Sequence, residues 1–469
     1  MSDSILFSKE FPAAPAKLFL VGIGGIGMSG LAQFLKCQGY DVAGSDRGIA
    51  EPARASLFDA LRAQGIRLYP QDGSGPRDFH PEGLVFTTAI EPGNPDQLAA
   101  PETPVFHRAF VLSRLCRQCG GKLIGVAGTC GKTSVTGWIG SALVALGHSV
   151  VLVNGGYLPE FETATNPGNF FATKKGHPVE FVVAEIDESD HSIGEFSPDF
   201  GLVLNVGDDH YGTEELERVF RAFMERCQQA AIYPENNPAL GTASPRNLVT
   251  YDCKARGYQP LPTGMRFESM DGVEVQSTQS GIHSAWNGAA VYQLLRLALP
   301  QEAPEKLAAA MGAFQGVRQR FEVVSAPSAA VAVVNDYAHN PEKIAAAIRT
   351  GRERFGAPLG IVFQPHGFGA LRFMEEALGE QLAGALETGD RFMMLPVYYA
   401  GGTVNFSPTS DEVATRFAQR GLPVEAIADR QTAREILQKG GFKAWLIIGA
   451  RDASLRTWSQ ELAKMQKHQ

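Results

Sequence analysis

The segment Lys122–Leu146 constrains the fold more tightly than any other. Leu123-Ile-Gly-Val-Ala127 is an apolar run of strand length. Gly128-Thr-Cys-Gly-Lys-Thr133 is a glycine turn, Ser134 to Leu146 has helical periodicity, and Gly147 stands where a helix would end. A buried strand that turns through glycine into a helix is a βα unit, which belongs in a mostly parallel sheet. The turn reads as a phosphate loop of unusual spacing. The common form leaves four residues between its first glycine and Gly-Lys-Ser/Thr, whereas Gly125 to Gly131 leaves five and Gly128 to Gly131 leaves two. Lys132 offers a compact cation to β- and γ-phosphates, and Thr133 offers a hydroxyl to Mg²⁺. Gly128, Thr129, Cys130, Gly131, Lys132, Thr133 and Ser134 are therefore candidate nucleotide contacts. The plainer reading is a solvated lysine beside a helix start.

A second run of strand, turn and helix, followed by a further strand, opens the chain. Lys17-Leu-Phe-Leu-Val21 leads into Gly22-Ile-Gly24-Gly25-Ile-Gly27, then a helical segment from Met28, then Asp41-Val-Ala-Gly-Ser45-Asp46. This is G-x-G-x-x-G with an acid 24 positions after the first glycine. Glycines let the backbone approach a diphosphate at a helix N-terminus, where free N–H groups face the anion. A nicotinamide dinucleotide, another diphosphate ligand, or a tight turn without a ligand all fit this motif.

Further apolar strands follow at Phe181–Glu185 and Phe200–Asn205, each delivering polar residues at its C-terminal end, where open parallel sheets place ligands. Val183-Ala-Glu185-Ile-Asp187-Glu188-Ser-Asp190 sets four carboxylates after a strand. Mg²⁺ takes one or two carboxylates plus phosphate oxygens and water, and Glu185, nearest the strand end, is the best placed. His210, in Asn205-Val-Gly-Asp-Asp-His210, is a candidate metal or phosphate contact. Residues 234–280 are rich in Pro, Asn, Gly and Thr and read as an insertion or small antiparallel element. A third α/β unit follows Phe321, with strands at Ala330–Asn335, Leu359–Phe363, Arg391–Leu395 and Ala444–Ile448. Asn340 can cap a helix whose first position is Pro341. The expected architecture is three consecutive α/β domains, 1–120, 121–322 and 323–469.

The formal net charge of −8 argues against a nucleic-acid partner. Of the six cysteines only Cys116 and Cys119 form a C-x-x-C, with no second pair to complete a zinc site. No apolar run is long enough to span a bilayer. These features predict a soluble cytoplasmic protein with reduced thiols and no membrane association.

In this order the motifs resemble the Mur ligases, ATP-dependent amide-forming enzymes of peptidoglycan precursor synthesis, and among them the alanine-adding branch. The resemblance rests on Val-Gly-Ile-Gly-Gly-Ile-Gly-Met-Ser-Gly with Gly-Ser45-Asp46, on Gly-Thr-Cys130-Gly-Lys-Thr, and on Glu185-Ile-Asp-Glu-Ser-Asp190. It continues through Gly281-Ile-His283-Ser-Ala-Trp-Asn287, Phe314-Gln-Gly-Val-Arg-Gln-Arg320-Phe and Asp336-Tyr-Ala-His339-Asn-Pro341. It covers about residues 17 to 452, and the short G-x-x-G-K-T loop is the form this family uses.

The resemblance implies a Rossmann-like UDP-binding first domain, a P-loop-type ATPase central domain and a Rossmann-like C-terminal domain that takes the amino acid. The diphosphate at Gly22, Gly24, Gly25 and Gly27 would then be that of UDP-N-acetylmuramate, with Ser45, Asp46, Thr88, Ala89, Ile90 and Arg108 around it. Asn287 would face adenine and Arg320 the γ-phosphate, and Asp336 would shape the nucleotide site. Tyr337, His339, His366 and Arg372 would line the amino-acid site. ATP and Mg²⁺, the latter on Thr133, Glu185 and His210, would serve the chemistry, with Lys132, Glu185, His210, Arg320 and His339 as catalytic residues. The acceptor expected is L-alanine, joined to the muramyl carboxylate through an acyl phosphate. A recycling ligase that adds a ready-made peptide and a silent UDP-sugar-binding homologue are the alternatives.

Four positions depart from the family's pattern: Cys130 and Ser284, Gln319 in place of one arginine, and Gly367 where Phe-Gln-Pro-His is followed by arginine. Arg372, five residues beyond Gly367, is the expected substitute anchor.

Overall fold

The computed structural model describes residues 7–173, 178–188, 192–207, 212–399 and 406–465. They form two compact units, one of residues 1–258, 266–278 and 285–317, the other of residues 259–265, 279–284 and 318–469. Among the described residues no helix is long and apolar enough to cross a membrane.

The first unit holds two sheets. Strands β1 to β5 (Lys17–Val21, Asp41–Asp46, Arg67–Pro70, Gly83–Phe86, Val105–His107) make a parallel sheet in the order β3-β2-β1-β4-β5. Strands β6 to β12 (Lys122–Ala127, Val150–Val153, Phe170–Ala172, Phe181–Glu185, Phe200–Val203, Ala230–Pro234, Leu248–Tyr251) make the second, in the order β12-β11-β10-β6-β9-β7-β8. Only the β7–β8 pair in it is antiparallel. Its central strands β10, β6 and β9 are buried along nearly their whole length, as strands covered on both faces must be.

The helix Ile26–Cys37 lies between the two sheets, and Phe34 stacks on Phe170 with ring centroids 5.5 Å apart. Beside this pair is a closed polar network. Asn169 Nδ2 donates to Ile26 O (2.7 Å) and Ser29 Oγ (2.9 Å), and Gln33 Nε2 donates to Asn169 Oδ1 (2.9 Å). Ser29, Gln33 and Asn169 are almost wholly buried. A buried network whose members satisfy one another fixes one relative placement of the groups it joins. The segment 234–280 supplies β12 and three short strands, β13 to β15 (Gln259–Leu261, Gly264–Glu268, Glu274–Ser277).

The second unit carries a six-stranded sheet of β16 to β21 (Glu322–Val323, Ala332–Asp336, Leu359–Gln364, Arg391–Met394, Val424–Ala426, Ala444–Gly449). The order is β16-β17-β21-β18-β19-β20, and all its neighbours are parallel except β16 with β17. Asn340 caps the helix Pro341–Phe355 by accepting from Lys343 N, with Pro341 at its first position.

Candidate active site

The phosphate loop leaves β6 between its two neighbours. Gly128 (φ +128°) and Gly131 (φ +87°) hold backbone conformations that a side chain disfavours. A Cβ on Gly131 would also lie 2.8 Å from Asn287 Oδ1, so Asn287 stands against the loop. Asn205, just beyond β10, clamps the turn: Cys130 N donates to its Oδ1 (2.8 Å) and its Nδ2 donates to Cys130 O (2.9 Å). Thr129 Oγ1 accepts from Gly207 N at 3.0 Å. Cys130 thus takes part through its backbone. The helix Lys132–Ala145 begins with no side-chain cap, so no capping side chain takes the first N–H groups that an anion would use. Ser134, on its first turn, is partly exposed.

Two carboxylates address this loop, Glu185 at the end of β9 and Glu188 three residues on. Thr133 Oγ1 donates to Glu185 Oε1 at 3.1 Å, and Gly155 N donates to Glu185 Oε2 at 2.8 Å. Lys132 Nζ donates to both oxygens of Glu188, at 2.8 and 2.9 Å, and to Gly128 O at 2.6 Å. Burial works against the charge on Lys132, but Glu188, Glu185 and Asp187 outweigh it and raise the ammonium above its ordinary value. Burial pushes the Glu188 carboxyl up against the pull of Lys132. Glu188 and Asn205 were not among the candidates; each sits in a quoted motif, but spacing alone does not say which polar residue of a turn points inward. His210 lies outside the described residues.

The first glycine turn sits at the C-terminal end of β1. Gly22 N and Ile23 N donate to Ser45 O, and Ser45 Oγ donates to the buried Asp96. Asp46 is spent within the loop. It accepts from Gly24 N, Gly48 N and Arg54 Nη1, each at 2.8 Å, and is 6% exposed. Its carboxylate therefore braces the glycine turn. Ile90 lies 3.7 Å from where a Cβ on Gly22 would be, while Thr88 and Ala89 are exposed.

Arg108 joins the two loops. Its Nη1 is 3.0 Å from where a Cβ on Gly27 would lie, and its Nη2 is 3.8 Å from Asp187 Oδ2. A single turn, Glu185 to Glu188, thus meets Arg108 on one side and Lys132 and Thr133 on the other.

In the second unit, Asp336 ends β17 and ties the segment before β16 to the loop after β17, accepting from Phe321 N and Ala338 N, both at 2.6 Å. Gln319 (φ +60°) and Phe321 (φ +47°) bracket Arg320 in left-handed backbone, and Arg320 lies over the Tyr337 ring at 5.1 Å. Burial raises the Asp336 carboxyl and Arg320 opposes it. His339 and His366 face each other edge-on at 5.4 Å. His339 Nδ1 is 3.0 Å from Tyr337 O; a carbonyl only accepts, so Nδ1 carries a proton, and in the neutral form of the ring the lone pair is on Nε2. Burial, followed by His339 and Arg451, drives His366 down to about 4.

Gly367 has φ +95° with nothing within 4 Å of a would-be Cβ, so the space is open but the backbone disfavours a side chain. Arg372 does not reach back from there. It is exposed on the helix Phe368–Ala385, whose Leu371, Met374 and Leu378 face inward, and its Nη2 donates to Ser407 O. One helical turn past Gly367, the phase that buries Leu371 turns Arg372 outward.

Three family models match in order. They are the Mur ligase family, catalytic domain (residues 18–119), the Mur ligase middle domain (126–292), and the Mur ligase, glutamate ligase domain (319–450). The chain is 31% identical to the UDP-N-acetylmuramate–L-alanine ligase of Novosphingobium aromaticivorans, covering 82% of each chain. It is 29% identical to that of Sinorhizobium medicae, covering 97% of this chain and 98% of the relative. The fold is similar to the UDP-N-acetylmuramate-alanine ligase of Thermotoga maritima (TM-score 0.77, 22% identity, 96% and 99% covered). It is also similar to a murein peptide ligase of Psychrobacter arcticus (TM-score 0.66, 16% identity, 97% and 99% covered). The chain belongs to the Mur ligase family.

Proposed function

We propose that this protein is an ATP-dependent ligase that joins L-alanine to the carboxylate of UDP-N-acetylmuramate, a cytoplasmic step of peptidoglycan precursor synthesis. The observation that supports this most is the turn Glu185–Glu188. It meets Arg108, which borders the Gly22–Gly27 turn, and it meets Lys132 and Thr133 of the phosphate loop. A UDP-sugar carboxylate and the γ-phosphate of ATP would meet on such a turn.

A carboxylate at neutral pH repels an amine nucleophile and has no leaving group. Attack of the muramyl carboxylate on the γ-phosphorus makes an acyl phosphate and releases ADP. The amine then attacks the acyl carbon and phosphate departs. Lys132 would neutralise charge on the phosphoryl group in flight, and the family resemblance implies the same role for Arg320. The Thr133 hydroxyl and Glu185 carboxylate, 3.1 Å apart, would hold Mg²⁺, whose small protein ligand set matches two such oxygens. When bound, the ion supplies charge neutralisation on the phosphates. His339, with its lone pair on Nε2, would take the proton that the amine loses.

The test is ADP release with UDP-N-acetylmuramate, ATP, Mg²⁺ and L-alanine. With hydroxylamine in place of the amino acid, the acyl phosphate should be captured as a hydroxamate. AMP release in place of ADP would refute the acyl phosphate.

A further inference from the structure

We propose that Arg451 anchors the carboxylate of the incoming amino acid, the role left open at Gly367. The proposal rests on the ligase reading above. Strand register carries it. Asp336 of β17 pairs with Ile448 of β21, and Ile448 pairs with Phe363 of β18. Three residues beyond these partners stand His339, Arg451 and His366. Three neighbouring parallel strands therefore deliver a histidine, an arginine and a histidine at one level of the carboxyl edge, with the arginine on the middle strand's exit. This is where open α/β sheets bind ligands.

The state of Arg451 agrees with a ligand role. It is exposed and sits at φ +68°, a conformation uncommon for a residue with a Cβ and one that glycine would hold without strain. The adjacent acid is spent elsewhere: Asp452 accepts from Arg430 Nη2 at 2.6 Å and from Ser454 N and Oγ. Among the described residues no hydrogen bond or ion pair engages the Arg451 guanidinium. Its charge acts on His366, which helps keep that ring neutral. A cation at one level with two histidines, one of them held neutral by burial, selects an anion, and a guanidinium fits a carboxylate through two parallel hydrogen bonds. The acceptor class is a small α-amino acid with a free carboxylate.

The experiment compares L-alanine with L-alaninamide, which keeps the amine and loses the carboxylate. Wild type, R451G, R451Q and R451K are each assayed for ADP release. In parallel, binding of acid and amide is followed by saturation-transfer NMR. R451G suits the local backbone, so its thermal midpoint should not fall below that of wild type. The apparent KM for L-alanine should rise at least about tenfold in R451G and R451Q. The apparent KM for ATP and for UDP-N-acetylmuramate should stay within about twofold. The preference for acid over amide should collapse in both variants and return in part in R451K. An unchanged preference in an active R451G would overturn the anchor and leave the ligase reading intact. If wild type turns over no amino acid, the ligase reading fails. The binding arm still decides the anchor: acid preference lost in R451G supports it, and no acid preference in wild type overturns it.

Discussion

Lys132 Nζ sits 2.8 and 2.9 Å from the two carboxylate oxygens of Glu188, and both side chains are largely buried. The loop lysine is thus held by a carboxylate three residues past the one that meets Thr133. Taking both charges from water is costly, and the pair persists because Gly128 O also accepts from Lys132. This geometry keeps the ammonium on the loop, where a phosphate can take it over.

Replacing Lys132 by methionine keeps the stem and removes the charge. Turnover should fall about 10²- to 10³-fold, the cost of losing one preorganised contact to a transferring group. UDP-N-acetylmuramate binding, measured by calorimetry, should change little, because the Gly22–Gly27 turn is braced by Asp46 and Ser45 and not by Lys132. Near-normal ADP release by the variant would remove Lys132 from the chemistry.

Glu188→Gln keeps an acceptor for Lys132 and removes the opposing charge. The buried ammonium is then under-compensated, and stability should drop by about 1–3 kcal/mol. Urea unfolding at neutral pH measures this through the midpoint at unchanged slope. The double variant Lys132→Met, Glu188→Gln should lose less than the two single losses added, since neither charge is then left alone. Additive losses would show that the pair is not coupled.

Much of the fold was legible because apolar runs bounded by glycine admit few readings. Lys17–Val21, Asp41–Asp46 and Phe181–Glu185 are strands as the sequence suggests, and Asn340 with Pro341 starts its helix. The strand expected at Ala330–Asn335 runs instead from Ala332 to Asp336, so Asp336 belongs to the sheet and spends its carboxylate on the adjoining loop. The site was legible at the level of motifs and less so at the level of atoms. Four carboxylates lie between the last residue of β9 and position 190, and only the fold sends Glu185 to Thr133 and Glu188 to Lys132. Asp46 looks like a ligand contact in sequence, yet two backbone N–H groups and Arg54 claim it. Arg451 gave no signal because its place beside His339 and His366 depends on strand order, which pairs β21 with β17 and β18 across long stretches of chain.

Arg372→Ala should leave the apparent KM for the amino acid unchanged. The guanidinium is exposed and donates to the Ser407 carbonyl. Losing a surface hydrogen bond of that kind should move stability by no more than about 0.5–1 kcal/mol. A rise in KM for the amino acid alone would return Arg372 to the acceptor site.

Stability should carry a histidine signature in mild acid. His366 is pushed down to about 4, first by burial and then by His339 and Arg451. In the unfolded chain it titrates near 6.5, so between pH 6.5 and about 4 the unfolded state binds the proton and the folded state does not. The sign follows: stability falls as pH drops through that window and levels off below about 4. His283, driven down to about 4 by burial and then Arg349, adds a second effect of the same sign. Glu188 and Asp336, whose carboxyls burial raises, act in the opposite direction, so the net curve alone is not diagnostic. The difference between wild type and His366→Gln isolates the first ring. Urea midpoints at pH 7, 6, 5 and 4.5 should show the two proteins diverging at neutral pH and converging on acidification, as wild type loses what the neutral ring contributed. The slope of that difference cannot exceed about 1.4 kcal/mol per pH unit for one proton, and the partly exposed ring should give less. Parallel curves across the range would show that His366 titrates alike in the folded and unfolded chain.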